Sequence, residues 1–250
     1  MLSISRTRWG IQIQQIYFPK EPDFHVRPST DLVGITQSIV PIEGLKPIET
    51  LQQDLSKREE ALFGEISKSA RQQIKQAGKT SGLFTFINVN PSDEDITVFQ
   101  EFYNKAADRK HTDRCTDFHV EKLKLLRDQK ALVMTKIEGE GEGALCYRVY
   151  AADGERAMPF YSASHFRLTG DSQFRRLVGK AHRLLKWENI LWFKNNGYLI
   201  YDSGGLTPDP NVRNFKLEFG GTIKTEYSGY LPYSTAGKLV LKVRNLKSHW

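Results

Sequence analysis

The period of the hydrophobic positions changes along the chain, and each change indicates a different kind of element. Within the first fifty residues, short apolar runs at 11–16 and 32–40 flank a proline-rich stretch at 19–28, a pattern typical of strands joined by loops. From about residue 57, apolar residues instead recur at steps of three and four, so they share one face of a predicted helix. These residues are Leu62, Ile66, Ala70, Ile74 and Ala77.

From about residue 84, the pattern predicts strand, helix, helix, three strands, long helix, strand, helix, strand and a final helix. The three consecutive strands are predicted at 131–137, 144–151 and 158–165, and the long helix at 173–195. An antiparallel meander that leads into a helix and a parallel strand is the layout of acetyltransferase-type domains. We therefore predict an α/β fold, with a mixed sheet flanked by helices at 84–250 and an N-terminal αβ extension at 1–83.

Composition and charge fit one main globular domain with anionic partners. The 250 residues are 39% hydrophobic and 26% charged, so the chain can bury a full core and lies far from the composition of disordered proteins. The net charge of +7 favours phosphorylated cofactors, nucleic acid, nucleotide-linked sugars or peripheral contact with an acidic membrane, without choosing among them. No apolar run could span a bilayer, and Cys115 and Cys146 lack metal-ligand spacing. We expect a cytoplasmic protein without a metal.

A short pattern near the start of the long helix suggests a pyrophosphate site. Arg176, Gly179, Lys180 and Ala181 resemble the acetyltransferase pyrophosphate loop, which reads Arg or Gln, two residues, Gly, one residue, then Gly or Ala. Free backbone amides at a helix N-terminus bind phosphate, and a small residue allows its close approach. The resemblance implies that these four residues bind the diphosphate of coenzyme A. The alternative is that Gly179 only eases helix packing.

Three further segments resemble one family. The stretch 185–205 reads LKWENILWFKNNGYLIYDSGG. It resembles the signature of the FemAB-like peptidyltransferases that build peptidoglycan cross-bridges, in which a tryptophan-bearing helix leads to a glycine, a strand and Tyr-Asp-x-Gly-Gly. Residues 215–220 resemble that family's Phe-Lys-x-x-Phe-Gly, and 54–75 resemble its Asp-Leu-Ser and Lys-x-x-Arg-x-x-Ile-Lys helix. The resemblance covers residues 50–230, in the right order, and implies an acyltransferase fold.

Four residues are candidates for chemistry at the reacting centre. The resemblance implies that Lys216 acts at the transfer step, where a fixed cation can stabilise an oxyanion; the alternative is a surface lysine between two phenylalanines. Asp202 ends a buried-type strand, where α/β folds place ligands, although it could equally be a turn residue that bonds the glycine backbone. His165 is a candidate general base and Tyr161 a candidate lining of the acyl channel, but a lone histidine at a strand end is usually structural.

A cationic stripe follows the apolar face of the first predicted helix. Lys68, Arg71, Lys75 and Lys79 recur at steps of three, four and four, so they form one row on the helix surface. Most such rows are simply solvated. The family resemblance makes Arg71 and Lys75 candidates for binding an anionic substrate.

The sequence therefore predicts an N-acyltransferase that moves an acyl group from acetyl-CoA or another acyl-CoA to a primary amine. The acceptor is expected to be a small or nucleotide-linked molecule, such as an amino sugar or a cell-envelope precursor. The alternative donor is aminoacyl-tRNA, which the basic charge allows. The chain is nevertheless shorter than the two-lobed members of the family and lacks a long charged helical hairpin. A third alternative is a catalytically silent binding module that retains the fold.

Overall fold

The structure is a computed structural model that describes residues 1–167 and 170–247. The strands are β1 (Leu2–Arg8), β2 (Ile11–Tyr17), β3 (Leu32–Ser38), β4 (Lys46–Asp54), β5 (Leu83–Asn88), β6 (Leu132–Gly139), β7 (Gly143–Ala152), β8 (Arg156–Ser164), β9 (Ile200–Gly205) and β10 (Thr222–Pro232). The helices are α1 (Glu59–Glu65), α2 (Lys68–Gly78), α3 (Asp93–Lys110), α4 (Asp117–Asp128), α5 (Ser172–Asn195), α6 (Pro210–Leu217) and α7 (Thr235–Lys247).

The chain divides into two units that differ from the predicted domains. The first unit comprises Met1–Thr50 and Ile223–Trp250, and the second comprises Leu51–Thr222. The predicted boundary at residue 83 would assign α1 and α2 to an N-terminal extension. Their apolar residues, including Leu62 and Ile74, instead share a core with Leu185 and Phe193 of α5, so both helices belong to the second unit.

The first unit is a small sheet with one helix. Its strand order is β1-β2-β3-β10-β4, in which β1 and β2 form an antiparallel hairpin, β3 runs parallel to β2, and β10 runs antiparallel to β3. Ile16, Val33 and Ile35 form its buried apolar cluster. Buried polar side chains also pair with each other in this unit, as in the 2.9 Å hydrogen bond from Gln37 Nε2 to Thr50 Oγ1.

The second unit has the predicted mixed sheet. Strands β5, β6, β7 and β8 form an antiparallel meander, β9 lies parallel to β8, and the order is β4-β9-β8-β7-β6-β5. The α/β fold class is confirmed, and β5 adds a fourth strand to the predicted three-strand meander. The predicted bounds of β6, β7, β8 and α5 are correct to within two residues.

The side chains of β7 alternate between the two faces of this sheet and show which helix covers each face. Tyr150 packs against Phe193 of α5, with ring centroids 4.9 Å apart, whereas Tyr147 packs against Phe102 of α3 at 4.8 Å. Because successive strand side chains point to opposite faces, α5 covers one face and α3 the other. Helix α2 packs on α5, and α4 packs on α3.

The helix predicted from residue 57 is broken into α1 and α2. Ile66 has an extended backbone at the end of α1, and the Ser67 hydroxyl accepts a 3.3 Å hydrogen bond from the Ala70 amide at the start of α2. A serine in this position satisfies an amide that would otherwise lack an acceptor. The apolar period continues across the break, which is why the pattern alone predicts one helix.

Gly220 after α6 is a testable structural requirement of the second unit. Its φ is +70°, and a Cβ there would lie 2.6 Å from Glu65 Cβ and 2.8 Å from the Glu65 carbonyl oxygen. We expect Gly220→Ala to lower the free energy of unfolding by about 2 kcal/mol or more, because the left-handed backbone disfavours alanine and the backbone contact cannot relax.

Urea denaturation would measure this change, with Gly64→Ala in α1 as the control. A Cβ added to Gly64 would meet nothing within 4 Å, so that substitution should be neutral or stabilising by up to about 1 kcal/mol. Equal stability of the Gly220→Ala and wild-type proteins would contradict the assignment.

Candidate active site

A buried polar centre lies between β7, β9 and α5 in the second unit. Asn189 Nδ2 donates to Tyr150 Oη at 2.8 Å, and Tyr150 Oη lies 3.0 Å from Tyr201 Oη. Arg148 Nη1 donates to Tyr201 Oη at 3.2 Å. Arg148 and Tyr150 are two residues apart on β7 and therefore face α5 together. A connected network of this kind is unusual in a core and is a candidate functional site.

Lys186 of α5 is the most unusual side chain in this centre. It is only 1% exposed, and its Nζ has no hydrogen-bond partner among the described residues. The ammonium lies 4.0 Å from the Phe219 ring centroid and 5.5 Å from that of Phe215. Burial, together with the positive charges of Arg148 and Lys216, lowers the pKa of Lys186 well below its usual value.

Asp202 is a buried carboxylate in the middle of β9. It is fully buried, forms an ion pair with Arg156, and accepts a 2.6 Å hydrogen bond from the Gly204 amide. Gln52 Nε2 lies 3.4 Å from its other oxygen. The hydrogen bond to the glycine backbone that the sequence left open is therefore present, and a catalytic role of Asp202 stays a prediction.

Lys216 approaches the same glycine turn from α6. Its Nζ donates to the Gly205 carbonyl at 2.6 Å, and a Cβ added to Gly204 would lie 3.6 Å from it. Burial lowers the pKa of Lys216 to about 8, and Arg148 adds to this effect while Asp202 opposes it. The structure thus brings Lys216 and Asp202 together, and Lys216 is half-buried rather than a surface lysine.

His182 also belongs to this site, although it was not predicted from the sequence. Its Nε2 lies 2.9 Å from Ser162 Oγ, and its ring stacks on Phe215 with centroids 4.6 Å apart. Burial and nearby cations, Arg148 first among them, lower its pKa well below the usual value, so the imidazole is neutral near pH 7. His182, Lys186 and Asn189 follow one another at steps of four and three on α5. This spacing places the three polar residues within the apolar stripe of the helix. It is the sequence signal from which a buried polar site on α5 could have been predicted.

The predicted pyrophosphate residues do not form a loop. Arg176, Gly179, Lys180 and Ala181 lie in the second and third turns of α5, which begins at Ser172 after the cap residue Asp171. Their amides are used inside the helix, and the Asp171 carboxylate accepts from the Gln173 amide at 2.8 Å. A Cβ at Gly179 would meet only ordinary contacts, the nearest at 3.8 Å. The prediction assumed free backbone amides at these residues, and the structure does not provide them. Of the four residues, Arg176 and Lys180 could still contact a phosphate through their side chains.

His165 and Tyr161 are not part of the polar centre. Tyr161 packs against Tyr103 of α3 with centroids 4.9 Å apart, and His165 stacks on Phe102 of α3 at 3.6 Å. Both therefore lie on the sheet face opposite α5. His165 also follows the last residue of β8, whereas Tyr201 pairs with Ala157 near the first residue of that strand. The fold separates these two candidates from Lys216.

The cationic stripe lines an open groove on α2. A concavity of about 600 Å³ is bounded by Phe63 and by the polar side chains Lys68, Arg71, Gln72, Lys75, Gln76 and Lys79. Lys75 Nζ lies 5.6 Å from the Phe63 ring centroid, and Arg71 Nη1 donates to the Gly64 carbonyl at 3.1 Å. Arg71 and Lys75 thus share one surface, as predicted, and it is concave and basic.

Two kinds of feature are absent from the described residues. Across 1–167 and 170–247, no helix combines the length and apolar character required to cross a bilayer. Over the same ranges, no three His, Cys, Asp or Glu side chains cluster in a way that could hold a metal ion.

Comparison with solved structures identifies the fold. FemX is similar with a TM-score of 0.64 at 11% identity, over 92% of this chain and 84% of FemX. The fold is that of FemX. The C-terminal domain of a protein described as a putative lysylphosphatidylglycerol synthetase from Agrobacterium fabrum is similar with a TM-score of 0.57 at 12% identity, over 96% of this chain and 83% of that domain.

A third structure, L-PGS from Bacillus licheniformis, has a TM-score of 0.51 at 13% identity, over 85% of this chain and 72% of that one. The sequence matches no family model and no curated protein. The predicted resemblance to a FemAB-like fold is therefore confirmed by the similarity to FemX, and the similarity lies in the tertiary structure.

The Asp202–Arg156 ion pair gives a prediction for stability. We expect Asp202→Asn to lower the free energy of unfolding by about 3–5 kcal/mol, because it removes the counter-charge from the buried Arg156 guanidinium. Chemical denaturation would measure this loss. Asp113→Asn, at an exposed position between α3 and α4, is the matched control and should change stability by less than about 0.5 kcal/mol. Equal effects of the two substitutions would show that the pair is not a structural requirement.

Proposed function

We propose that this protein is an N-acyltransferase whose reacting centre lies at the Gly204-Gly205 turn beside Lys216. The observation that carries the proposal is a half-buried lysine ammonium held against this turn, next to a buried cationic centre. The fold shared with FemX and with a domain named for lysylphosphatidylglycerol synthesis supports it. The acceptor in this proposal is a primary amine on a small or nucleotide-linked molecule, such as a cell-envelope precursor.

Lys216 has the properties that acyl transfer requires. When an amine nitrogen attacks the acyl carbonyl carbon, the C–N bond forms and the carbonyl oxygen becomes an oxyanion. A fixed ammonium stabilises that charge, and collapse of the intermediate breaks the bond to the leaving thiol or hydroxyl. Positioning of the two substrates supplies the remainder of the rate enhancement. Asp202 contributes by holding the turn and Lys216 in place.

His182 is the better candidate for accepting the proton of the attacking amine. Its imidazole is neutral near pH 7 because burial lowers its pKa, and it stacks on Phe215, the neighbour of Lys216. His165, which the sequence suggested for this role, lies on the opposite face of the sheet. A neutral imidazole can take up the proton that the amine loses.

The donor has two candidates, and a specific observation favours each. Acyl-CoA, such as acetyl-CoA, is supported by the sequence pattern at Arg176, Gly179, Lys180 and Ala181. Aminoacyl-tRNA is favoured by the helical conformation of those residues, which leaves no free amides for a pyrophosphate. In either case the basic groove with Arg71 and Lys75 is the proposed contact for phosphate groups of a substrate.

A cytoplasmic location of the protein stays a prediction.

Replacement of Lys216 tests the reaction centre. We expect Lys216→Ala to lower kcat by about 10²–10³-fold with little change in donor affinity, because one oxyanion partner is lost. Lys224→Ala, an exposed lysine on β10, is the control and should retain full turnover. Steady-state kinetics with the donor that binds would measure both, and unchanged turnover in Lys216→Ala would exclude the proposed role.

The pH dependence provides a separate test of the same residue. The ammonium form of Lys216 is the active one and its pKa is about 8, so kcat should fall as pH rises through about 8. Lys216→Arg keeps its charge over this range, and we expect its pH profile to lack that falling limb. A limb of equal midpoint in both proteins would assign the titration to another group.

Thermal-shift measurements would identify the donor. Acetyl-CoA should raise the melting temperature if acyl-CoA is the donor, whereas aminoacyl-tRNA should bind if the alternative holds. Gly179→Leu should weaken coenzyme A binding only if the diphosphate approaches that turn of α5. Unmodified tRNA and total RNA are needed as controls, because any basic protein binds RNA weakly and in a salt-sensitive manner. A protein that binds neither donor would fit the silent binding module.

A further inference from the structure

The polar centre holds more basic than acidic groups. Its basic side chains on the α5 face are Arg148, Arg183 and Lys186, with Lys216 beside Gly204 and Gly205, and the nearby acidic side chains are Glu218 and, on the other side of β9, Asp202. Asp202 pairs with Arg156, and Glu218 accepts two hydrogen bonds from Arg183 at 2.9 and 3.0 Å. Lys216 donates to a backbone carbonyl. Both carboxylates are therefore already engaged in hydrogen bonds with other groups, and the Glu218 charge offsets only part of the burial cost of the Lys186 ammonium.

In the described part of the chain, Arg148 and Lys186 each bury a nitrogen atom for which no hydrogen-bond acceptor is present. These atoms are Arg148 Nε and Lys186 Nζ. Arg148 is 4% exposed and Lys186 is 1% exposed. Buried donors of this kind normally have acceptors, and a buried cation normally has a counter-charge. The Phe219 ring offsets only part of the cost for Lys186.

The two side chains converge on one ring. The Arg148 guanidinium lies 5.7 Å and the Lys186 ammonium 5.5 Å from the Phe215 centroid. Phe215 itself is half-buried on α6, a helix with no buried residue, and His182 and Arg183 contact the same ring. Phe215 is therefore the partly exposed ring that lies between the cationic centre and the surface of α6.

We propose that Arg148 and Lys186 form a binding site for an oxyanion, a phosphate or carboxylate group of a ligand, beneath Phe215. The arginine offers a planar set of donors and the lysine a point charge, and together they supply the partners that such a group accepts. The site lies on the α5 face and is distinct from the α2 groove. The inference deepens the proposed function and rests on it, because this anionic group belongs to the donor or the acceptor that Lys216 acts upon.

Binding of pyrophosphate, phosphate and acetate to the full-length protein tests the site, with sodium chloride at equal ionic strength as the baseline. Isothermal titration should detect saturable binding to the wild type, and the stronger of the phosphate and acetate arms identifies the ligand class. We expect Lys186→Met to weaken that binding at least tenfold. It should also raise the melting temperature without anions, because a methionine packs against Phe219 and removes the unpaired cation.

The control is Lys242→Met, an exposed lysine on α7 that should bind the anions as the wild type does. The proposal would be overturned if Lys186→Met bound the anions with the same affinity as the wild type. It would also be overturned if only Arg71→Met, in the α2 groove, lost anion binding. If Lys186→Met does not fold, lysine ¹³Cε NMR spectra of the wild type replace it as the test. The Lys186 signal is assigned as the one that is missing in Lys186→Arg. Pyrophosphate should shift this signal, and an unchanged signal would contradict the site. The assay contains no acyl donor, so its failure is separable from failure of acyl transfer.

Discussion

The buried ion pair between Arg156 and Asp202 is the constraint on which the candidate site depends. It joins the first residue of β8 to the middle of β9, two strands that run parallel and share no short connection. The second Asp202 oxygen accepts from the Gly204 amide, so the same carboxylate shapes the turn against which Lys216 rests. Loss of this pair would release the turn and the lysine together.

Around this constraint, the second unit separates two kinds of side chain by sheet face. The α3 face carries a cluster of aromatic rings, including Phe99, Phe102, Tyr147 and Tyr161, whose contacts are those of an ordinary core. The α5 face carries the hydroxyls, the amide of Asn189 and the cations. This separation follows from the geometry of a strand, because consecutive residues of β7 point to opposite faces of the sheet.

The excess of positive charge on the α5 face is unfavourable for folding by itself. Replacing buried charged groups with apolar ones of similar size often stabilises a protein, so a buried lysine without a partner is a cost to the fold. Such costs are concentrated at functional sites, where a ligand supplies the missing partner. This energetic argument does not depend on the similarity of the fold to that of FemX.

The sequence by itself determined the fold class and several of its elements. The apolar period of α2 and α5 and the meander strands are local features, and they depend on interactions between neighbouring residues. The motifs at Asp202 and Lys216 were also readable, since the tyrosine-aspartate-glycine turn and the phenylalanine-lysine segment keep their order along the chain.

Only the tertiary structure decided which residues share the site. His165 and His182 are both single histidines near α5 in sequence, yet one lies on each face of the sheet, and that outcome depends on strand register. The pattern at 176–181 resembled a phosphate-binding loop. Asp171, however, caps α5 about one turn before Arg176, so these residues lie inside the helix. Lys186 looked like one more charged residue of a helix, and its isolation follows from contacts among β7, α5 and α6. Distances between segments remote in sequence are set by packing, which no local pattern encodes.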